Sequence, residues 1–422
     1  TITFPTGTTI VNNGTQTGFG RTGTVDWQTG SIKTGTFVPV NGEGYFVDTS
    51  SGVSTANLPA GVVGAIVSFK DYSQTFDTNA LTISANGSEK IEGQTFDLSL
   101  STKGQATTLV YGDVTKGWQS VNSNEVTNQE LFVTASGGTE STSGDYKIHT
   151  FTGPGTFTVN SVGTSAPNNV VDYMVIGGGG GSGGQGGQSS GGGGAGGYRE
   201  SAGTSTGSYS RSPLGACVSA LPVTATAFPI TVGAGGAGGS AGSDNNGNAG
   251  NPSVFSSITS AAGGYGGGAG CAAAGGNGGS GGGGRNSGTG GTGNTPPTSP
   301  PQGQPGGDSD GHSGSGGGGA TGAGGDSNGP GGASGNGGVG ATSSINGTPT
   351  QRSGGGAGGR SPTAGASGSN SGGGGPGVGP SGPPTTANAT ANTGGGAGGV
   401  GSGPLAGGVG GSGIVIIRYK FQ

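Results

Sequence analysis

Few residues in this chain could do chemistry. The only cysteines are Cys217 and Cys271, and the two histidines, His149 and His312, stand far from them. Two thiols cannot complete a four-ligand zinc site. A Cys217–Cys271 disulfide, in an oxidising location, would close a loop of about 55 residues and contribute about 4 kcal/mol in the chain-entropy account. Two small buried thiols are the plain alternative. His149 falls in an alternating stretch where packing is the ordinary role. His312 lies near Asp308 and Asp310, but glycine-rich loops commonly carry solvated acids. The 19 acidic residues are scattered, so no carboxylate pair for glycoside cleavage can be placed. Gly-x-Gly strings abound without the lysine of a phosphate-binding loop. Trp27 and Trp118 suit packing in a β domain, with sugar stacking as the rarer use. No catalytic group, cofactor or metal site is expected.

The elements that would position such residues are unusual. Glycine supplies 113 of 422 residues, and 90 of these follow residue 170. Only 27% of the chain is apolar, too little for a compact α/β enzyme of this length. Glycine also opposes helix by roughly 1 kcal/mol per residue relative to alanine. The net charge of -5, with no basic stripe, gives no footprint for nucleic acid. No apolar run approaches the roughly 20 residues of a membrane helix, so no membrane insertion is expected. Thr1 stands first, with no methionine or signal peptide, which fits a processed or mature form.

The expected fold is all-β. Residues 1–23 read as an extended arm. Ile2 and Phe4 alternate before Pro5, and Ile10-Val11 precede an Asn12-Asn13-Gly14 turn. Such an arm could pair with a sheet edge of a neighbouring subunit, or be an ordinary first strand. Residues 24–125 form a β domain with strands over 35–40, 44–47, 64–70, 81–84, 96–100 and 107–111. Asn86-Gly87 suits a tight hairpin. Residues 126–145 read as a linker. Residues 146–422 read as a split, sandwich-like β unit built from 146–176, 221–233, 252–262 and 413–422. Its first two strands would form a hairpin across Gly153-Pro154. The strongest strand, 414–421, is expected to pair near 170–176.

The glycine-rich remainder, 177–413, repeats in threes. Non-glycine residues recur at Ser182, Gln185 and Gln188, and at Ala234, Ala237 and Ser240. Ala274, Asn277 and Ser280 do the same, as do Ala333, Asn336 and Val339. Period three predicts polyglycine II helices, with three residues per turn and about 3.1 Å rise. Their amides point outward and must bond to neighbours. Where helices touch only glycine fits, so the third residue of each triplet is expected to face away.

The ordered segments resemble a known family. Val25-Asp26-Trp27-Gln28-Thr29, Gly42-Glu43-Gly44-Tyr45-Phe46, Asn57-Leu58-Pro59-Ala60 and Thr75-Phe76-Asp77-Thr78-Asn79 resemble a β module of tail-fibre and virion structural proteins of tailed phages, notably cyanophages. Gly196-Gly197-Tyr198-Arg199, Ile230-Thr231-Val232-Gly233 and the closing 411–419 are similar to glycine-rich fibre regions of such phages. The resemblance implies adhesin-like stacked polyglycine II helices whose connecting loops touch a host receptor.

These readings lead to a non-enzymatic structural protein that self-assembles into an extracellular fibre, phage tail-fibre-like or a microbial surface appendage. Its partner is then itself, as a homo-oligomer. The alternative is a receptor-binding adhesin. Its loops 285–304 and 342–352 would grip a host cell-surface glycan or outer-membrane protein. An ice-binding protein, another use of polyglycine II bundles, is the weaker alternative.

Overall fold

The computed structural model describes residues 25–122, 127–128, 132–163, 168–184, 189–203, 209–215, 219–242, 245–268, 270, 273–311, 313–328, 332–360, 371–379 and 387–422. The arm residues Ile2, Phe4, Ile10 and Val11, the two cysteines Cys217 and Cys271, and His312 lie outside this set. The chain is all-β, with no α-helix among the described residues, and none of its helices is long and apolar enough to cross a membrane. It divides into two compact units, Thr1–Glu130 and Leu131–Gln422.

The first unit carries β1 (Asp26–Trp27), β2 (Thr36–Phe37), β3 (Glu43–Val47), β4 (Ser54–Asn57) and β5 (Ile66–Asp71). After them come β6 (Leu81–Ser84), β7 (Leu98–Leu100), β8 (Ala106–Asp113), β9 (Gly117–Ser120) and β10 (Thr127–Asn128). Two five-stranded sheets result, β1-β3-β5-β8-β9 and β10-β7-β6-β4-β2. The first six strands alternate between the sheets, and each from β3 to β6 pairs parallel with the strand two before it. The chain therefore winds as a coil before β7, β8 and β9 reverse direction. Val47, Val67, Phe69, Leu109 and Trp118 of one sheet bury against Leu81, Ile83, Leu98 and Leu100 of the other. Asn86-Gly87 does turn, with Gly87 at φ 56°. No tight hairpin forms there, because β6 and β7 stand far apart in sequence around it.

The second unit holds β11 (Thr134–Ser136), β12 (Thr139–Ser143), β13 (Tyr146–Phe151), β14 (Gly155–Ser161), β15 (Val170–Ile176) and β16 (Tyr198–Glu200). They are followed by β17 (Leu221–Pro222), β18 (Ala227–Thr231), β19 (Ser253–Phe255), β20 (Ile258–Ser260), the hairpin pair β21 (Ala341–Ser343) and β22 (Thr350–Arg352), and β23 (Ile414–Lys420). One sheet runs β11-β14-β18-β19-β20. The other runs β12-β13-β23-β15-β16, with β17 also on β15. The segment expected as a linker thus carries β10, β11 and β12. The expected hairpin across Gly153-Pro154 is absent, because the chain crosses there from one sheet to the other. β23 pairs antiparallel with β15, Ile176 opposite Ile414. Both faces of β23 are covered, which explains its unbroken apolar run. Val415, Ile417 and Tyr419 join the core between the sheets. Ile414 and Ile416 face Tyr198, Ala320 and Ile345 on the other side.

Glycine runs extend from the ends of β15 and β23 and pack against one another. Gly178, Gly181 and Gly184 donate to the carbonyls of Asn251, Asn248 and Asn245 at 2.8–2.9 Å. Gly179 and Ser182 donate to Gly411 and Gly408 instead, and Gly180 to Gly194. Every third amide meets the same neighbour, as a backbone with three residues per turn requires. Run 190–197 sits at the hub. Its amides reach the runs 394–400, 261–267 and 315–318. Its carbonyls accept from 177–180, 280–283 and 356–359. These bonds span 2.7–3.1 Å and surround one helix with six others.

The outward third position holds only in peripheral runs. Ala234, Ala237 and Ser240 are exposed, as are Ala333, Asn336 and Val339. In inner runs the third residue is buried and small: Ser182, Ala195, Ser280, Ala320, Ala397 and Val400. With neighbours on six sides no outward face remains, and serine hydroxyls join the network. Ser182 Oγ accepts from Gly408 N at 2.8 Å, and Ser280 Oγ donates to Gly319 O at 3.1 Å.

A Cβ at Gly193 would lie 2.1 Å from the carbonyl oxygen of Gly180. The obstacle is hydrogen-bonded backbone that cannot step aside. Gly193→Ala should therefore cost the second unit more than the roughly 1–3 kcal/mol of ordinary overpacking. Ala237→Ser, on an exposed position, should stay within about 0.5 kcal/mol of the parent. Calorimetric melting of both variants checks this; equal melting would contradict the lattice geometry.

Candidate functional site

Along β15, β16 and β23, from Tyr198 at the lattice end to Asp172 and Arg418 at the other, a buried polar cluster forms. Glu200 closes β16 and is 1% exposed. Its Oε2 accepts from Tyr198 OH at 3.0 Å, from Ser212 N at 2.9 Å and from Ser212 Oγ. Burial raises the Glu200 carboxyl above its ordinary value, against the lowering effect of these donors. Beside it, Ser201 Oγ donates to Asp172 Oδ1 at 2.6 Å and accepts from Tyr173 N at 3.1 Å. The Arg418 guanidinium lies 4.5 Å from the Tyr146 ring centre and 5.7 Å from that of Tyr209. Its Nη1 donates to Ile345 O at 3.3 Å. Asp172, Glu200 and Arg418 are all essentially inaccessible. The cluster ties β15, β16 and β23 to the loops around Ser212 and Ile345, and it offers nothing to a solute.

His149 on β13 is likewise a packing group. Nδ1 lies 2.7 Å from Gly137 O and Nε2 3.0 Å from Tyr419 OH. The ring stacks on Tyr419 and meets Phe157 edge-on. Burial pushes its pKa below the usual 6.5, although Glu140 lies 3.9 Å away and acts oppositely. The neutral ring donating from Nδ1 and accepting at Nε2 satisfies both contacts. Burial outweighs both the Gly137 carbonyl and the half-exposed Glu140 carboxylate, each of which favours the protonated ring.

An accessible groove of about 560 Å³ lies among the described residues. Arg199, Ser257, Thr259, Asn277, Thr295 and Thr298 bring its polar groups, and Pro252 and Pro296 part of its apolar wall. The loop 294–302 is internally braced. Asn294 Oδ1 accepts from Thr298 N, Thr298 Oγ1 and Gln302 N at 3.0–3.1 Å. Gln302, buried beneath it, donates from Nε2 to Pro296 O at 2.8 Å and accepts from Ala261 N at 2.9 Å. Asn294 sits at φ 50°, a conformation asparagine tolerates. Arg199 points from β16 toward this groove, and its side chain has no hydrogen-bond or ion-pair partner among the described residues.

The residues singled out from sequence separate cleanly. Arg285, at the start of the expected receptor loop, is buried, and its guanidinium donates to Ser189 O and, at 2.6 Å, to Gly311 O. Arg352, at the end of the other, is also buried. Asp308 Oδ1 accepts from Gly290 N at 2.7 Å, and Asp326 Oδ1 from Asp308 N at 2.8 Å, so these acids cap lattice amides. Among the described residues no group of three His, Cys, Asp or Glu comes together to hold a metal. Trp118 is fully buried against Tyr111, whereas Trp27 is exposed beside Phe46. Arg199 was missed in the sequence. Its only signal was a charged pair, Arg199-Glu200, at the end of a glycine run.

This is an all-β protein whose second unit is organised by glycine runs. Residues 149–420 match the family model described as a glycine-rich domain, and the chain belongs to that family. Comparison with curated proteins finds no match.

The lowered pKa of His149 has a pH consequence. The unfolded chain takes up a proton near pH 6.5 that the folded chain refuses, so stability falls as pH drops from 7 through this range and then levels off below the folded value. His149→Gln should flatten that part of the melting-temperature profile between pH 8 and 5, whatever its effect at pH 8. An unchanged profile would show that His149 is protonated as readily folded as unfolded.

Proposed function

We propose that this chain is a non-enzymatic structural protein of an extracellular fibre, of the kind that tailed-phage tail fibres represent. The observation that carries the reading is the hub run 190–197, bonded on six sides through its own backbone. A lattice with its amides paired gives a stiff body and withholds the free backbone that proteases need. Such a body suits a mechanical part. The residues that resemble phage fibre modules point to a virion appendage, and a microbial surface filament built on the same physics shares that role. Many copies joined end to end or side by side would make the fibre.

A second reading is favoured by the groove at Arg199. A braced loop on a rigid scaffold is a good platform for recognition, since little entropy is lost on binding. The guanidinium, without a side-chain partner among the described residues, the hydroxyls and the proline surfaces suit a host cell-surface glycan or a polar patch of an outer-membrane protein.

Electron microscopy of the purified chain should show rods or polymers of uniform width. Dispersed single particles at every concentration would overturn the fibre reading. For the second reading, Arg199→Ala should lower adsorption to susceptible cells at least tenfold while leaving particle shape unchanged. Full adsorption by the variant would remove the groove from consideration.

A further inference from the structure

Exposed large apolar side chains are distributed unevenly. Nine of the eleven among the described residues belong to the first unit, and only Val339 and Val409 to the second. Five of the nine stand at one end of the first unit, Val38, Val40, Val62, Val63 and Val114, with exposures from 54% to 84%. Scattered exposed valines are ordinary, whereas an adjoining set marks an interaction surface.

The strand register makes this set adjoining. The loops 38–42 and 58–65 lead into β3 and β5, which are parallel neighbours with Gly44 opposite Ser68. Gly42 N donates to Ile66 O at 2.7 Å, and Ile66 N to Asn41 Oδ1 at 2.9 Å, so the two loops lie side by side. β8 runs antiparallel on the far side of β5, with Ile66 opposite Val110. Continued outward, this register sets the 113–117 turn beside Val62 and Val63. Gly64 N donates to Tyr111 O at 2.9 Å and holds it there. Three neighbouring loops thus present one row of valines.

Charge points to the occupant. Loops 38–42 and 58–65 contain no charged residue, and the third loop carries one acid and one base, Asp113 and Lys116. Each chain has a net charge of -5, so two copies repel over most of their surface. A neutral apolar face is where they can approach without that penalty. It offers nothing to a charged partner such as nucleic acid or a lipid headgroup. We infer that this valine face is an interface between copies of the chain. The inference rests on the fibre reading and deepens it by naming the surface through which copies join.

The experiment is mass measurement of the full chain by sedimentation across a wide concentration range, beside electron microscopy. Val62→Asp with Val63→Asp puts two acids on each face. It should shift dissociation at least tenfold toward higher concentration, with unchanged far-ultraviolet circular dichroism. Val114→Asp alone, at the most exposed position, should act in the same direction and stands in if the double variant folds poorly. Val53→Asp, at an exposed site outside the row, should leave association at the parent value. Association that is unaffected by both face variants overturns the inference, whether the valines are then bare or covered by the chain's own residues 1–24. A parent that is monomeric throughout overturns it as well. Fibres that persist in the face variants sink the interface and leave the fibre reading standing. Oligomers that the variants dissolve, without any fibre in the parent, support the interface and sink the fibre.

Discussion

The second unit depends on one interaction, the amide-to-carbonyl hydrogen bond between separate glycine runs. Each such bond is modest in net terms, about 1 kcal/mol. Ordering glycine costs more backbone entropy than ordering any other residue. An isolated polyglycine II helix has no internal hydrogen bonds to offset that cost. Stability must therefore come from many helices assembled together, so that each ordered residue bonds in more than one direction. The hub at 190–197 reaches that limit, with donors to three neighbours and acceptors for three others. The same requirement explains the composition. At the points of contact a Cβ would fall about 2 Å from a carbonyl oxygen, as at Gly193, Gly317 and Gly356. A side chain there would separate the backbones and break the bonds that hold the lattice.

The sheets start and end this lattice. β15 passes directly into run 177–184, and run 407–413 passes directly into β23. These two strands are paired to each other and covered on both faces, which sets the first and last runs side by side. The buried cluster of Tyr198, Glu200, Ser212, Asp172, Ser201 and Arg418 runs along these strands, from Tyr198 at the junction to the Asp172–Arg418 pair four residues away. It ties sheet and loops with hydrogen bonds beside the apolar residues Met174, Ile176 and Ile345. The few charged side chains buried in the second unit thus serve position.

The two units solve different problems. The first has a conventional apolar core between coiled sheets and leaves valines uncovered. The second has a comparable core between its sheets, a large bonded backbone mass beside it, and only Val339 and Val409 as exposed large apolar side chains among its described residues. A body of the second kind is held together by its own backbone hydrogen bonds. Its loops carry side chains that the runs lack, and the 294–302 segment beside Arg199 is braced by hydrogen bonds of its own.

Much of the fold is legible in the residues alone. The six strands expected in the first unit are present within a few residues, because their side chains alternate or are β-branched. β4, with the sequence Ser-Thr-Ala-Asn, gives no apolar signal and is found only through its parallel neighbours. The pairing of 414–421 with 170–176 followed from an apolar run too strong to be left in water. Triplet spacing revealed the polyglycine backbone, since a three-residue turn places every third side chain in line. Tertiary structure alone decided which triplets face outward. The spacing of Ser182 or Ala397 is the same as that of Ala237, and only the number of surrounding helices buries the first two. Likewise Arg285 and Arg199 are equivalent charges in glycine-rich sequence. One is enclosed by carbonyls and the other opens on a groove lined by segments from residues 199 to 302. Local pattern determines the conformation of each run because it acts through neighbours in the chain. The environment of a side chain is set by contacts across hundreds of residues, and those exist only once the runs have packed.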